Sequence, residues 1–359
     1  MGKKGMKTTT EEEAAMKLPE SKDPADIFWG LVYDAGKPQV LKHAINFKVF
    51  NYLLEPISAK EIARKIETKP EPTSRLLDML AILGVISKKD GQYRNTTSAE
   101  EYLVEGKPTY MGDMYVMTVD MDGGMIGNIP QALKSGVPEM APDQAYSDEF
   151  WASQVDMFAR GKRAQWSYSA LPQVIEMPEF LSFKQMLDLG GSAGIYTVAL
   201  VTRHPTLKGT VLDQPPVVEI TKKIISEYGL QDRIDVIGAD FSKDDIGKDY
   251  DLIWTSDTLS LFPDKDKLEE ICIKVYNSMN SGGVFVSQQQ MVISKNGIWP
   301  PDTAWLSHIM AFEGANCTLY ETDVSEAMLD AGFRSVESQY VNRALGTFRV
   351  DIARKEEQK

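Results

Sequence analysis

The stretch Asp188-Leu189-Gly190-Gly191-Ser192-Ala193-Gly194 constrains this chain most. It follows the short apolar run Gln185–Leu189, and its three glycines stand where a strand must turn sharply into a helix. Missing side chains there let the helix dock closely and bring turn amides and a helix N-terminus towards an anionic group. Nucleotide-binding sheets of several kinds use such a turn, so the surrounding pattern has to narrow the reading. From Phe183 onward strands and helices alternate. Strands are expected at Gln185–Leu189, Gly209–Leu212, Ile234–Gly238, Leu252–Thr255, Gly283–Gln288, Val336–Val341 and Phe348–Ala353, with helices between them, notably Lys265–Met279 and Thr322–Ala331. Alternation of this kind builds a parallel sheet with helices on both faces. The last two strands are joined by Asn342–Thr347 without a helix, so this α/β sheet closes with an antiparallel strand, an ending that dinucleotide-binding sheets do not normally have.

Three strand ends carry carboxylates. Asp213 closes the second strand nineteen residues after Gly194, where it can accept both hydroxyls of a ribose. Asp240-Phe241 follows the third strand, a carboxylate for an exocyclic amino group beside a ring that can cover a base. The fourth strand ends Trp254-Thr255-Ser256-Asp257, at the carboxyl edge where open sheets bind ligands. One such aspartate is ordinarily a solvated loop residue. Three at consecutive strand ends describe a nucleoside site.

Ahead of the sheet, residues 24–105 read as a winged helix. Leu41, Ala44, Ile45, Phe47, Val49 and Phe50 form an apolar stripe ending at Tyr52-Leu53-Leu54. Ser58 with Glu61 makes a capping box, Thr73-Ser74 opens a helix through Leu83 with Gly84 as its stop, and Lys89-Asp90-Gly91 turns a hairpin. The presumed recognition helix offers only Arg75 among apolar residues, and the chain carries a net charge of −13. Both features argue against nucleic acid and for a dimerisation role. Residues 106–180 read as a helical linker, broken at Pro130, Gly136-Val137-Pro138 and Pro142, whose Met, Trp, Phe and Tyr can wall an apolar cavity. Residues 1–23 lack an apolar core and read as a flexible tail. No apolar run approaches the length needed to span a bilayer. Cys272 and Cys317 show no metal-binding spacing and read as buried thiols of a cytoplasmic protein, and three histidines are too few for a His-rich metal site.

These pieces together resemble the small-molecule O-methyltransferase family typified by the plant caffeate and flavonoid enzymes. The resemblance runs from about Asp26 to Arg354 through Leu187-Asp188-Leu189-Gly190-Gly191, Leu212-Asp213-Gln214-Pro215, Gly238-Ala239-Asp240-Phe241, Phe262-Pro263-Asp264, Ser281-Gly282-Gly283 and Ala331-Gly332-Phe333. It implies a Rossmann-like methyltransferase domain over 181–359, S-adenosylmethionine as donor, a small-molecule acceptor, and a homodimer joined through the winged helices. Asp188, Gly190, Gly191, Gly194, Asp213, Asp240, Phe241 and Ser256 are then the expected donor-site residues.

The acceptor side departs from that family. A histidine two residues before the aromatic of the Phe262-Pro263-Asp264 motif would remove the acceptor proton, and Ser260 stands there. A serine hydroxyl is too weak a base at neutral pH. His308, on the expected helix Thr303–His308, and Asp257 are the alternative catalytic residues. The segment Trp305-Leu306-Ser307-His308, with Gly314 beyond it, also resembles the bacteriochlorophyllide C-20 methyltransferase. That resemblance implies methylation of a ring carbon, which needs alignment without prior deprotonation of an oxygen. Either O- or C-methylation of an apolar aromatic or tetrapyrrole-like acceptor fits, the alternative being a non-catalytic, donor-binding regulatory protein.

Overall fold

The apolar stripe near the N-terminus is buried or half-buried as expected except at Phe47, Tyr52 and Leu54, which are exposed. A long helix, α1 (Asp26–Asn46), buries Ala44 and Ile45, and Val49, Phe50 and Leu53 continue that core past the helix end. Phe47 is turned outward, because the chain leaves the helix there through Lys48 at φ 55°. In this computed structural model the described residues are 24–138, 148–343 and 346–356; the expected tail 1–23, Pro142 and the hairpin residues Ala344-Leu345 lie outside them.

A short strand β1 (Ile57–Ser58) leads into α2 (Ala59–Lys65), whose capping box forms: Glu61 N–H donates to the Ser58 hydroxyl, and the Glu61 carboxylate accepts from the Ser58 amide. The following helix α3 (Pro70–Ile82) starts ahead of the expected Thr73-Ser74. Pro70 supplies the pre-set φ of a first helical residue, and the Thr73 hydroxyl donates to Lys69 O instead of capping. Gly84, at φ 73°, stops the helix. Strands β2 (Ile86–Lys89) and β3 (Gln92–Asn95) pair antiparallel, with Asp90 and Gly91 both at positive φ, the geometry of a two-residue hairpin turn. Arg75 is held by Glu71 one turn away on its own helix.

After α4 (Thr97–Tyr102) come α5 (Gly112–Ser135) and α6 (Asp148–Gln165). Pro130 does not break α5. Its ring deprives the carbonyl four residues back of a partner, but Ile126 is exposed, so water can satisfy that oxygen. The stop falls at Gly136, φ 84°. A short helix α7 (Leu171–Ile175) then reaches the sheet.

The sheet strands are β4 (Gln185–Leu189), β5 (Lys208–Asp213), β6 (Ile234–Gly238), β7 (Tyr250–Ser256), β8 (Met279–Gln289), β11 (Ser335–Arg343) and β12 (Gly346–Arg354), in spatial order β11-β12-β8-β7-β4-β5-β6. Strands β4 to β8 run parallel, and β12 inserts antiparallel between β8 and β11. A two-stranded accessory sheet, β9 (Val292–Ile293) with β10 (Leu319–Tyr320), was not legible in the sequence. Helices α8 (Ile195–Arg203), α9 (Pro215–Glu227), α10 (Lys265–Ser278), α11 (Pro301–Ala311) and α12 (Asp323–Asp330) complete the domain. Alternate residues of each strand feed two cores, one around Met186, Val211, Trp254 and Val286, the other around Leu187, Leu212, Ile253 and Phe285. Cys272 and Cys317 are buried free thiols.

Candidate active site

Strand order reverses between β4 and β7, so a crevice opens beyond their carboxyl ends. The glycine turn fills its floor. Gly190 and Gly194 adopt φ of 70° and 69°, a region that only glycine enters without strain. Ser192 shares that region at φ 52°, held by its N–H donating to Asp213 Oδ2 at 2.7 Å. Asp213 Oδ1 accepts from Gln214 N–H at 2.8 Å, so the carboxylate is fixed at the end of β5. A Cβ at Gly191 would fall 2.7 Å from both Asp188 Cγ and Val211 Cγ1. That glycine admits the core below it.

The turn's amides are less available than the sequence implied. Gly190 and Gly191 N–H both donate to Leu212 O, at 2.9 and 3.3 Å, and Gly194 N–H donates to Gly191 O at 3.0 Å. With Ser192 bonded to Asp213, four amides are engaged in tying the turn to β5 and to itself. Asp188 lies beneath, only 1% exposed, accepting from Thr197 Oγ1 at 2.7 Å. Burial pushes its carboxyl up to about 6, opposed mainly by Lys162 and the Thr197 hydroxyl.

At the end of β6, Asp240 Oδ1 accepts from the Ser242 amide and hydroxyl at 3.0 and 2.6 Å, and Lys243 Nζ lies 2.8 Å from Oδ2. Burial alone would raise its pKa, but Lys243 and Ser242 together hold it below the ordinary value. Phe241 is buried and meets Phe262 edge-on, centroids 5.4 Å apart, so its ring belongs to the second core.

At the end of β7 a polar network replaces free groups. Gln288 Nε2 donates to Ser256 Oγ at 3.2 Å, and Gln288 Oε1 accepts from Ala170 N–H at 2.7 Å. The Tyr196 hydroxyl joins Ser256 and Gln288, while its ring stands edge-on to Trp254 at 5.5 Å. Lys162 Nζ sits over the other side of the site, 5.1 Å from the Tyr196 ring centroid. Sequence reasoning missed Lys162, Tyr196, Gln288 and Gln290. Tyr196 lies two residues after the turn, a readable signal; Lys162 arrives from α6, over thirty residues away, and left none.

The three catalytic candidates are not gathered together. Asp257 and Ser260 are both anchored by the end of β8: Asp257 Oδ1 accepts from Gln290 N–H at 2.8 Å, and Ser260 N–H reaches Gln289 Oε1 at 3.4 Å. Asp257 is open to the crevice in a left-handed conformation, φ 56°, and desolvation raises its pKa against the Gln290 amide, Lys162 and Ser256. Ser260 is 2% exposed. His308 occupies the outer side of α11, where Nε2 meets Gly297 O at 2.7 Å. A carbonyl only accepts, so Nε2 carries the proton and Nδ1 is the basic nitrogen.

A nucleoside crevice on a sheet with this order and this antiparallel insertion defines the methyltransferase class of α/β fold. The O-methyltransferase domain family matches residues 143–334, and the O-methyltransferase dimerisation domain family matches residues 29–105. The chain belongs to the O-methyltransferase family, and the protein is an S-adenosylmethionine-dependent methyltransferase. It is 28% identical over 313 residues to a 3-hydroxy-5-methyl-1-naphthoate 3-O-methyltransferase of Streptomyces sahachiroi, covering 84% of this chain and 87% of that one. It is 24% identical over 289 residues to an L-tyrosine C(3)-methyltransferase of Streptomyces lavendulae, covering 77% and 78%. Among solved structures, human N-acetylserotonin methyltransferase in complex with S-adenosylmethionine superposes with a TM-score of 0.74 at 21% identity, over 94% of this chain and 100% of that one. The dimerisation match leaves the regulatory winged-helix reading without support.

Proposed function

We propose that the enzyme methylates a hydroxyl of a small, largely apolar aromatic acceptor, with Asp257 as the group that takes up the acceptor proton. The observation that carries this reading is Asp257 itself, a carboxylate open to the crevice at the switch point, anchored by Gln290 N–H and raised in pKa. The bound donor supplies an electrophilic methyl on a sulfonium sulfur. Asp213 holds the ribose diol, Asp240 the adenine amino group, and the glycine turn supports the donor from below. Gly190, Gly191 and Gly194 act here through the shape of the turn, and Asp188 and Ser256 by bracing it. Alignment of the acceptor oxygen with the methyl accounts for much of the rate, and a carboxylate adds proton removal.

The naphthoate-methylating relative, 28% identical, supports an aromatic hydroxyl acceptor. The walls would come from the linker helices α5 and α6, which bring Met114, Met117, Met121 and Met125 along one side of α5. His308 is the second candidate base, through Nδ1, and methylation of a ring carbon is the second reading, favoured by the serine at position 260 and by the tyrosine C-methylating relative. Incubation with labelled donor and a panel of naphthols, hydroxynaphthoates, catechols and porphyrins, followed by NMR of the product, decides between them. Methyl on carbon overturns the O-methylation reading, and no transfer to any aromatic overturns the acceptor class.

The homodimer is proposed on the dimerisation domain together with the apolar first turns of α1, where Ile27, Phe28, Trp29, Leu31, Val32 and Tyr33 are exposed all round the helix.

A further inference from the structure

We infer that Lys162 is the donor's anion clamp: it pairs with the carboxylate at the amino-acid end of the bound donor and thereby sets which sulfonium or thioether nucleosides this enzyme accepts. The inference rests on the donor site described above and concerns a residue that neither the sequence pattern nor the family match assigns. S-Adenosylmethionine carries one anionic group, its carboxylate. The glycine turn would be the ordinary receptor for such a group, but Gly190, Gly191, Ser192 and Gly194 all have their N–H groups engaged by Leu212, Asp213 and Gly191. Four carboxylates, Asp188, Asp213, Asp240 and Asp257, end the strands of the crevice edge or stand beside them, and the other lysine there, Lys243, is paired with Asp240. An anion needs a compensating cation there, since burying an unpaired carboxylate is costly.

Lys162 has the position and the freedom. Of the basic run Arg160-Gly161-Lys162-Arg163 on α6, Arg160 pairs with Asp113 and Asp156, and Arg163 with Glu227. Lys162 has no carboxylate within ion-pair distance among the described residues; its Nζ stands 5.1 Å over the ring of Tyr196, in the first turn of the helix that leaves the glycine turn. Its backbone is fixed from behind, because Gly161 packs so closely on α5 that a Cβ there would fall 2.6 Å from Met114 Sδ. Its charge lowers the pKa of both Asp188, in β4, and Asp257, just past the end of β7. The partner it lacks in the protein is the one the donor brings. Asp257, exposed at the end of β7, is then the carboxylate left to face the donor's cationic groups.

Calorimetry with two ligands tests this: S-adenosylhomocysteine, and decarboxylated S-adenosylmethionine, which keeps the nucleoside and ammonium but lacks the carboxylate. Lys162→Met keeps the stem and removes the charge; Lys162→Arg keeps the charge. Expected for Lys162→Met is a loss of about tenfold to a hundredfold in affinity for S-adenosylhomocysteine, the scale of one hydrogen bond to a charged group. The decarboxylated ligand should change less than about threefold, and Lys162→Arg should restore most of the lost affinity. The ratio of the two affinities within one variant is insensitive to partial misfolding. An equal loss for both ligands makes Lys162 a packing residue and overturns the inference, as does no loss for either. If the wild-type chain binds neither ligand, the donor assignment itself is wrong and the inference falls with it.

Discussion

Replacing Asp188 by asparagine removes a single titration from the centre of the sheet. The carboxyl is 1% exposed, and burial moves it from 3.8 to about 6. At about 1.36 kcal/mol for each pH unit, that gap amounts to about 3 kcal/mol. Its direction follows from proton uptake. Below pH 3.8 the group is protonated in both the folded and unfolded chain and burial carries no charge penalty. Between there and about 6 the unfolded chain loses the proton while the folded one keeps it, so stability falls as pH rises; above about 6 the penalty is constant. Asparagine never ionises. Its amide also places a donor where Thr197 already donates through Oγ1 and its backbone N–H, a mismatch that costs about 1–3 kcal/mol at every pH. The informative quantity is therefore the pH dependence of the difference between variant and wild type. Urea unfolding at pH 4 and pH 8, followed by tryptophan fluorescence, should show Asp188→Asn gaining about 2–3 kcal/mol relative to wild type over that interval. A difference that stays flat across the interval would mean that Asp188 is not held protonated by burial, and the account of the turn's foundation would be wrong.

Asp213→Ala frees Ser192 from its left-handed anchor and removes the ribose acceptor, so affinity for S-adenosylhomocysteine should fall by about a hundredfold, as calorimetry would show. Unlike the loss at Lys162, this one should extend to ligands without a carboxylate. Ser260→His should not create a better enzyme: the site is 2% exposed, so the larger ring should lower stability by about 1–3 kcal/mol in a denaturation measurement, and a rise in kcat would show that position 260 opens to the acceptor after all. Asp257→Asn should lower kcat by about a hundredfold and abolish the acidic limb of the kcat–pH profile, which in the wild type should lie above the ordinary carboxylate range. His308→Ala should then leave kcat within about tenfold; the opposite ranking would transfer the base to His308 Nδ1. Trp29→Glu, placing a charge among the exposed apolar residues at the start of α1, should shift the sedimentation coefficient towards that of a monomer.

Much of this fold was written in local sequence. Period-two and period-3.6 patterns, the Ser58–Glu61 capping box, the Asp90-Gly91 hairpin and the glycine turn each act within a few residues, so one sequence suffices to read them, and β4 and β6 fall at the expected bounds. The carboxylates proposed to hold the donor were legible for the same reason, because each stands at or just past the end of its own strand. Strand order, the insertion of β12 beside β8, the small β9–β10 sheet and the continuation of α5 through Pro130 depend on partners distant in the chain. So does the chemistry of the site. The sequence alone named a donor and showed that position 260 lacks an imidazole. Only the tertiary structure decided that four of the turn's amides are already engaged, that Phe241 packs into the core, that Ser260 is buried, and that Lys162 is carried from α6 over Tyr196. The physical reason is that hydrogen-bond availability and charge balance are properties of a surface assembled from several elements, whereas a turn or a strand end is a property of one.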